Sequence, residues 1–304
     1  MPDWLHTETL YESAVVRVTD ARCRADGPCR GAEEFTPTND IVLPRRGFFV
    51  RHVGREDTAA DANAVLFFRR HEPYRVSHPV TGGDDCTSFT FAPEVLTAAF
   101  AAYDPAVHDR PDEPFPAARA LLNTSAMLKL HQLRVAIHRL GQTPGALDAL
   151  ALDESALRLL DDIAAHGTPA TTRRTNRRRS DTAHAHRRLT LDTLAVLSHG
   201  MSHPLTLPDI ARQVHSSPFH LARVFHRCAG LSIHQYLVRL RLAAALQRLG
   251  EGEADLTRMA LFLGFSSHAH FSDVFRREFG RPPRCVRQER LLHGLRETSK
   301  NLKA

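Results

Sequence analysis

A helix-turn-helix pattern occurs twice between Thr206 and Gly280, and this repeat restricts the fold more than any other feature. The first copy reads TLPDIARQVHSSPFHLARVFHRCAG from Thr206 to Gly230; the second reads DLTRMALFLGFSSHAHFSDVFRREFG from Asp255 to Gly280. Leu221, Phe225 and Gly230 recur as Phe271, Phe275 and Gly280, each fifty residues on. Thr206 is a good N-cap, and Asp209 three residues later completes a capping-box-like start. Ile210, Ala211 and Val214 supply the buried face of a supporting helix. His215-Ser216 makes the turn, and Ser217-Pro218 restarts the chain as N-cap and first helical residue. Leu221, Val224 and Phe225 then face inward. In the second copy Asp255 caps, Leu256, Met259, Ala260 and Leu263 pack inward, and Gly264-Phe265 turns. Ser266 or Ser267 caps the last helix, over a core of Phe271, Val274 and Phe275. A helix at about 189–199 precedes the first copy. An amphipathic helix over about 232–249 joins the two, with Ile233, Tyr236, Leu237, Leu240 and Ala244 as its buried stripe and the Gly250-Glu-Gly-Glu turn ending it.

Charge separates the halves of the 304-residue chain. Residues 1–166 carry 17 Lys+Arg against 24 Asp+Glu, whereas residues 167–304 carry 23 against 10. The net charges are therefore −7 and +13, and the basic half holds the repeated motif, as a phosphate-binding module requires. Its cations are almost all arginine, which suits bidentate contacts to phosphate or guanine. Two adjacent helix-turn-helix units ending in basic helices are suited to enter two successive major grooves of double-stranded DNA. No apolar run approaches the ~20 residues that span a bilayer. The N-terminus lacks the basic and apolar segments of a signal peptide, and five cysteines without a dense framework suit a reducing compartment. A cytoplasmic protein with no membrane contact is expected.

Residues 8–100 read as β-rich. Short apolar or alternating runs at 13–18, 47–53, 64–68, 74–77 and 87–91 are separated by turn signals such as Asp26-Gly27-Pro28 and Gly82-Gly83-Asp84. Many short strands with regular turns suggest a small barrel or jelly roll. From about 115 the period becomes helical. Ala126, Leu130, Leu133, Ile137 and Leu140 form one stripe, and a second helix covers about 146–165. This pair would either cover an open edge of the barrel or present the 130-133-137-140 seam to a second copy as a homodimer interface. Residues 167–187 lack apolar periodicity and read as a basic linker. Its Arg173, Arg174, Arg177, Arg178 and Arg179 are either a solvated tether or extra phosphate contacts.

The C-terminal pattern resembles the AraC/XylS family of transcription regulators over residues 188–290. The residues carrying the resemblance are Leu207-x-x-Ile-Ala, Leu221-x-x-x-Phe225, Gly230-Leu-Ser-x-x-x-Tyr236-Leu, Arg239-x-Arg241-Leu-x-x-Ala244, Ala260-x-x-Leu-Gly-Phe-Ser266, His270-Phe-Ser-x-x-Phe275 and Phe279-Gly-x-x-Pro283. The resemblance implies that two recognition helices of one chain read two grooves. Matched position by position, the base readers are Phe219, Ala222 and Arg223, then His268, Ala269, Ser272 and Asp273. His226, Arg227, Arg276 and Arg277 are placed for phosphate. Three positions depart from an ideal reader. His215 stands where the family commonly has Gly. Ala222 cannot hydrogen-bond a base edge. Asp273 can accept from a cytosine amino group but repels phosphate.

Looser matches at Leu43-Pro-Arg-Arg-Gly-Phe-Phe-Val-Arg-His52 and at Phe67–Pro79 resemble the sensor domains of the same family. The expected class is thus α+β with two domains. A cupin-like barrel (about 8–100) with two following helices (about 115–166) would form a sensor and dimerisation domain over 1–166. The linker 167–187, an all-α double helix-turn-helix domain over 188–290 and a tail at 291–304 would follow. The resemblance implies a sequence-specific, effector-responsive activator with an RNA polymerase contact, and not an enzyme. An organic effector would sit among Phe48, Phe67 and Phe89, with Arg45, Arg51 and Arg75 to clamp a carboxylate. No cofactor is expected. His52, His71, His78 and Cys86 lack the His-x-His and following Glu of a metal cupin, so no metal is expected either. Two alternatives stay open. Cys23, Cys29 and Cys86 would meet at one barrel mouth as a thiol site for an oxidant or a soft metal, or the protein would bind DNA architecturally with little choice of sequence.

Overall fold

The computed structural model describes every residue except 1–3, 26, 28–29, 143–148, 168–179 and 289–304. The linker arginines 173–179, Cys29 and the tail lie outside the described residues. Among the described residues the N-terminal half has nine strands: β1 (Leu5–Glu12), β2 (Val16–Cys23), β3 (Asp40–Arg46), β4 (Phe49–Val53), β5 (Glu56–Ala60), β6 (Ala64–Phe68), β7 (Arg75–Ser77), β8 (Asp84–Phe91) and β9 (Arg119–Leu121). The expected runs overlap β2, β4, β6, β7 and β8; β1, β3 and β5 match none of them, and β9 lies where a helical period is expected. They pair antiparallel into a large sheet of order β1-β2-β8-β3-β6-β9 and a small sheet of order β5-β4-β7. Neither sheet closes on itself and no ladder joins them, so the described strands make no closed barrel. The sheets meet over Phe49, Ala60, Leu66, Phe68 and Cys86.

The opposite face of the large sheet carries Val16, Val18, Ile41, Leu43, Val65, Phe67, Phe89 and Phe91. Three helices cover it: α1 (Pro93–Ala101), α2 (Thr124–Gln142) and α3 (Ala149–Gly167). The β-rich stretch accordingly stops at Phe91, short of residue 100. Pro93 in the first turn, with Leu96, Phe100 and Ala101 on one buried face, makes 93–101 a helix instead. The stripe Ala126, Leu130, Leu133 and Ile137 is buried within the chain, with Leu140 packed against the same core. The seam considered for a homodimer is thus covered intramolecularly, by α3 on one side and by the C-terminal half on the other.

The C-terminal half is helical throughout its described length: α4 (Ser180–Gly200), α5 (Leu207–Gln213), α6 (Pro218–Ala229), α7 (Ile233–Glu251), α8 (Leu256–Phe262) and α9 (His268–Phe279). Helix α4 begins about nine residues earlier than apolar periodicity places it, inside the segment read as linker. Its first turns are polar, but Ala183, Ala185 and the arginines that follow favour helix, and Arg188 pairs with Asp192 one turn on. No helix among the described residues is long and apolar enough to cross a membrane.

Candidate nucleic-acid interface

The two recognition helices, α6 and α9, are built alike. Each has 12 residues and starts at a serine cap: Ser217 Oγ accepts from the His220 N–H at 3.3 Å, and Ser267 Oγ from the His270 N–H at 3.1 Å. Each ends at a glycine in the left-handed region, Gly230 at φ 77° and Gly280 at φ 73°. Leu221, Val224, Phe225 and Ala229 are buried under α6, as Phe271, Val274, Phe275 and Phe279 are under α9. The opposite faces are open. Phe219 is 80% exposed, and Arg223, His226, Arg227, His268, Ala269, Asp273, Arg276 and Arg277 are exposed as well, with Ala222 and Ser272 half-buried. Every base-reading and phosphate candidate therefore lies at least partly open to solvent on one of the two helices.

Several of these side chains are already engaged. Asp273 and Arg276 form an ion pair at 3.0 Å along α9. Arg227 Nη2 donates to His186 Nδ1 of α4 at 2.8 Å, and Ser272 and His268 lie 3.4 Å apart. Arg223 has an open route to a base edge, whereas Arg276 reaches phosphate only by leaving Asp273.

The turns differ. His215 adopts φ 51°, a left-handed conformation that the second copy gives to Gly264 at φ 82°. Gly264 has a further reason to be glycine: a Cβ there would come within 2.7 Å of the Arg241 guanidinium. Arg241 is held in place by the carbonyls of Met201 (2.8 Å) and His203 (3.1 Å).

Helix α7 positions both motifs. A full capping box, Ser232 with Gln235, starts it, and Gly252 at φ 100°, the second glycine of the expected Gly250–Glu253 turn, ends it. The expected stripe packs Tyr236, Leu237 and Leu240 against the first motif. A second stripe, Val238, Leu242, Ala245, Leu246 and Leu249, packs against α2 and the second motif. Burial on two sides hides this stripe from a one-faced periodicity reading.

The N-terminal half grips α7 through buried polar contacts. The Tyr236 hydroxyl donates to Asp61, with both carboxylate oxygens at 2.9 Å, and accepts from Arg119 Nη2 at 2.9 Å. Asn63 Nδ2 donates to the Tyr236 carbonyl at 3.1 Å, and Arg239 donates to the Leu122 carbonyl. Burial pushes the Asp61 carboxyl above its ordinary range, against the pull of Arg119. His131 of α2 abuts Gly250; burial first, then the Arg134 charge, holds its pKa down to about 4.

A cleft of about 1210 Å³ lies beside this seam, lined from one half by residues such as Arg24, Arg45 and Arg134 and from the other by Ala244, Gln247 and Glu251. Of the six effector candidates only Arg45 lines it. Arg45 donates to Asp20 (2.8 Å) and Gln247 (3.2 Å). Phe67 and Phe89 are packed core beside the helices, and Phe48 packs toward the first motif. Arg51 is sealed under Phe68, donating to the Phe67 carbonyl at 2.7 Å. Arg75 is exposed near Glu33. The six do not converge, because alternate residues of each strand face opposite layers. Cys23 and Cys86 are both buried, in neighbouring strands. Sequence reasoning misses Tyr236, Asp61 and Arg119 as a unit and marks only the tyrosine, as a core position.

Known proteins resemble the C-terminal region in sequence. The helix-turn-helix domain family matches residues 210–289. Over 97 residues the chain is 39% identical to the HTH-type transcriptional activator RhaS of Escherichia coli O157:H7, covering 32% of this chain and 35% of RhaS. It is 33% identical over 97 residues to the HTH-type transcriptional regulator GbdR of Pseudomonas aeruginosa, covering 32% of this chain and 26% of GbdR. The matches thus span about a third of these relatives' length or less. A solved AraC-type transcriptional regulator from Chromobacterium violaceum shares 30% identity over 35% of this chain and 96% of its own, with a TM-score of 0.33. By its C-terminal double helix-turn-helix, this chain belongs to the AraC/XylS family of transcription regulators.

Proposed function

We propose that the protein is an effector-responsive transcription activator that binds two successive major grooves through α6 and α9 and contacts RNA polymerase from that position. The observation that carries this reading is the pair of like-capped recognition helices, each with an exposed polar face, held by one continuous helix. Arg223 is the principal base reader, Phe219 meets a thymine methyl, and His226, Arg227 and Arg277 hold phosphate. Residues 1–166 act as sensor, 188–290 as reader. The effector occupies the cleft between the halves rather than the packed strand interior. Because α7 forms part of the seam there, a ligand that fits one spacing of the halves better than another shifts the population able to engage both grooves.

Salt-dependent binding of the full chain to its own upstream region and to scrambled DNA of equal length tests the reading. A preference on the order of 10³-fold or more supports a specific regulator. Equal binding with a steep salt slope favours an architectural binder.

A further inference from the structure

Cys23 closes β2 and pairs across the sheet with Asp84, the first residue of β8. Side chains alternate along a strand, so Asp84 and Cys86 leave the same face of β8 and Cys23 leaves β2 beside them. His78 arrives from the small sheet, one residue past β7, fixed by two backbone hydrogen bonds to Gly27 of 2.9 and 3.1 Å. Cys23, His78 and Asp84 are all buried, and one ligand atom from each lies within 4.8 Å of the other two. His78 Nε2 is 2.7 Å from Asp84 Oδ1, and the Cys86 thiol donates to Asp84 Oδ2 at 3.2 Å.

The backbone is arranged to permit this meeting. Gly83, at φ +65°, passes so close to β2 that a Cβ would lie 2.0 Å from the Cys23 carbonyl oxygen. Gly47, at φ +84°, backs Gly83 in turn, and a Cβ there would lie 2.1 Å from the Gly83 carbonyl oxygen. Side chains at either position would push Cys23 and Asp84 apart.

We propose that Cys23, His78 and Asp84, with Cys86 as fourth donor, bind a soft divalent cation of the zinc type. Thiolate, imidazole and carboxylate donors at one buried point form a donor set that zinc favours over magnesium or calcium. Zinc bonds of about 2.0–2.3 Å set tetrahedral donors roughly 3.3–3.8 Å apart, so the His78–Asp84 contact opens by about half an ångström. On binding, the Cys23 and Cys86 thiols lose their protons to solvent and His78 ligates as the neutral imidazole. The site then ties the small sheet, through His78, to two strands of the large one. Its neighbours Arg24, Gly82, Gly83 and Asp85 line the interdomain cleft, so occupancy fixes one wall of that cleft. This last consequence rests on the proposed regulator function; cation binding itself does not.

The test is titration of the reduced full-length chain with Co²⁺, following thiolate-to-cobalt charge transfer and tetrahedral d–d bands, then displacement by Zn²⁺. One cobalt per chain is expected, with the bands abolished in Cys23→Ser and His78→Ala and unchanged in Cys228→Ser, which removes an exposed thiol far along the sequence. Cys86→Ser should roughly halve the charge-transfer intensity. Absence of a stoichiometric tetrahedral signal in the unaltered protein overturns the site, whatever the folding of the variants. Bands that survive in Cys23→Ser, or vanish in Cys228→Ser, also overturn it. Zinc should change affinity for the upstream DNA several-fold; unchanged affinity in a protein that gives the cobalt spectrum overturns the coupling to the cleft and not the site.

Discussion

His215 and Gly264 occupy the same place in the two motifs with opposite local energetics. A left-handed backbone costs a residue with a Cβ about 1–2 kcal/mol, partly offset because glycine loses more chain entropy on folding. His215→Gly should therefore raise stability by about 0.5–1 kcal/mol in urea unfolding. Gly264→Ala should lower it by more, because strain adds to a clash with a tethered Arg241. On the DNA face, Arg223→Ala should cost roughly 1–3 kcal/mol and relax selectivity at one base position. An equal loss on every sequence would move Arg223 to the phosphate class. Asp273→Ala releases Arg276 from its ion pair. Affinity should then rise on all sequences and the salt slope steepen by about one, unless Asp273 reads a cytosine, when one position alone would lose.

At the scale of elements, the seam between α2 and α7 responds to pH. His131 is neutral in the folded protein down to about 4, against 6.5 when unfolded. Between those values the unfolded chain binds the extra proton. Its contribution is thus fully present above pH 6.5 and is lost as pH falls toward 4, on the order of 3 kcal/mol in all. Denaturation of His131→Gln across this window should show a shallower acid loss than the parent; parallel curves would remove His131 as the cause. The same helix α7 carries Tyr236. Tyr236→Phe leaves buried Asp61 and half-buried Arg119 without their shared hydroxyl, and should cost about 1–3 kcal/mol in urea unfolding. A loss below about 0.5 kcal/mol would mean that Asp61 and Arg119 pair directly once the hydroxyl is gone.

At the scale of the molecule, the described strands and helices form a β-rich half and a helical half in close contact, with the reading helices on one and the cleft between the two. What the amino-acid order determined by itself was the reader. Caps at Thr206, Ser217 and Asp255, apolar spacings of three and four, and a clean charge division are short-range signals, legible within a window of a few turns. The same window missed α1 and the early start of α4, whose apolar signals are brief or absent, and it gave α7 one buried stripe instead of two. Only tertiary structure decided how the two open sheets pack, where the cleft lies, and which polar groups meet. Asp61 and Tyr236 are 175 residues apart and Thr87 and Asp20 are 67 apart; Cys23 and Asp84 end and begin strands of the large sheet, whereas His78 directly follows β7 of the small one. Nothing local marks such partners, because side chains so distant are brought together by the packing of whole layers and not by the propensities of their neighbours.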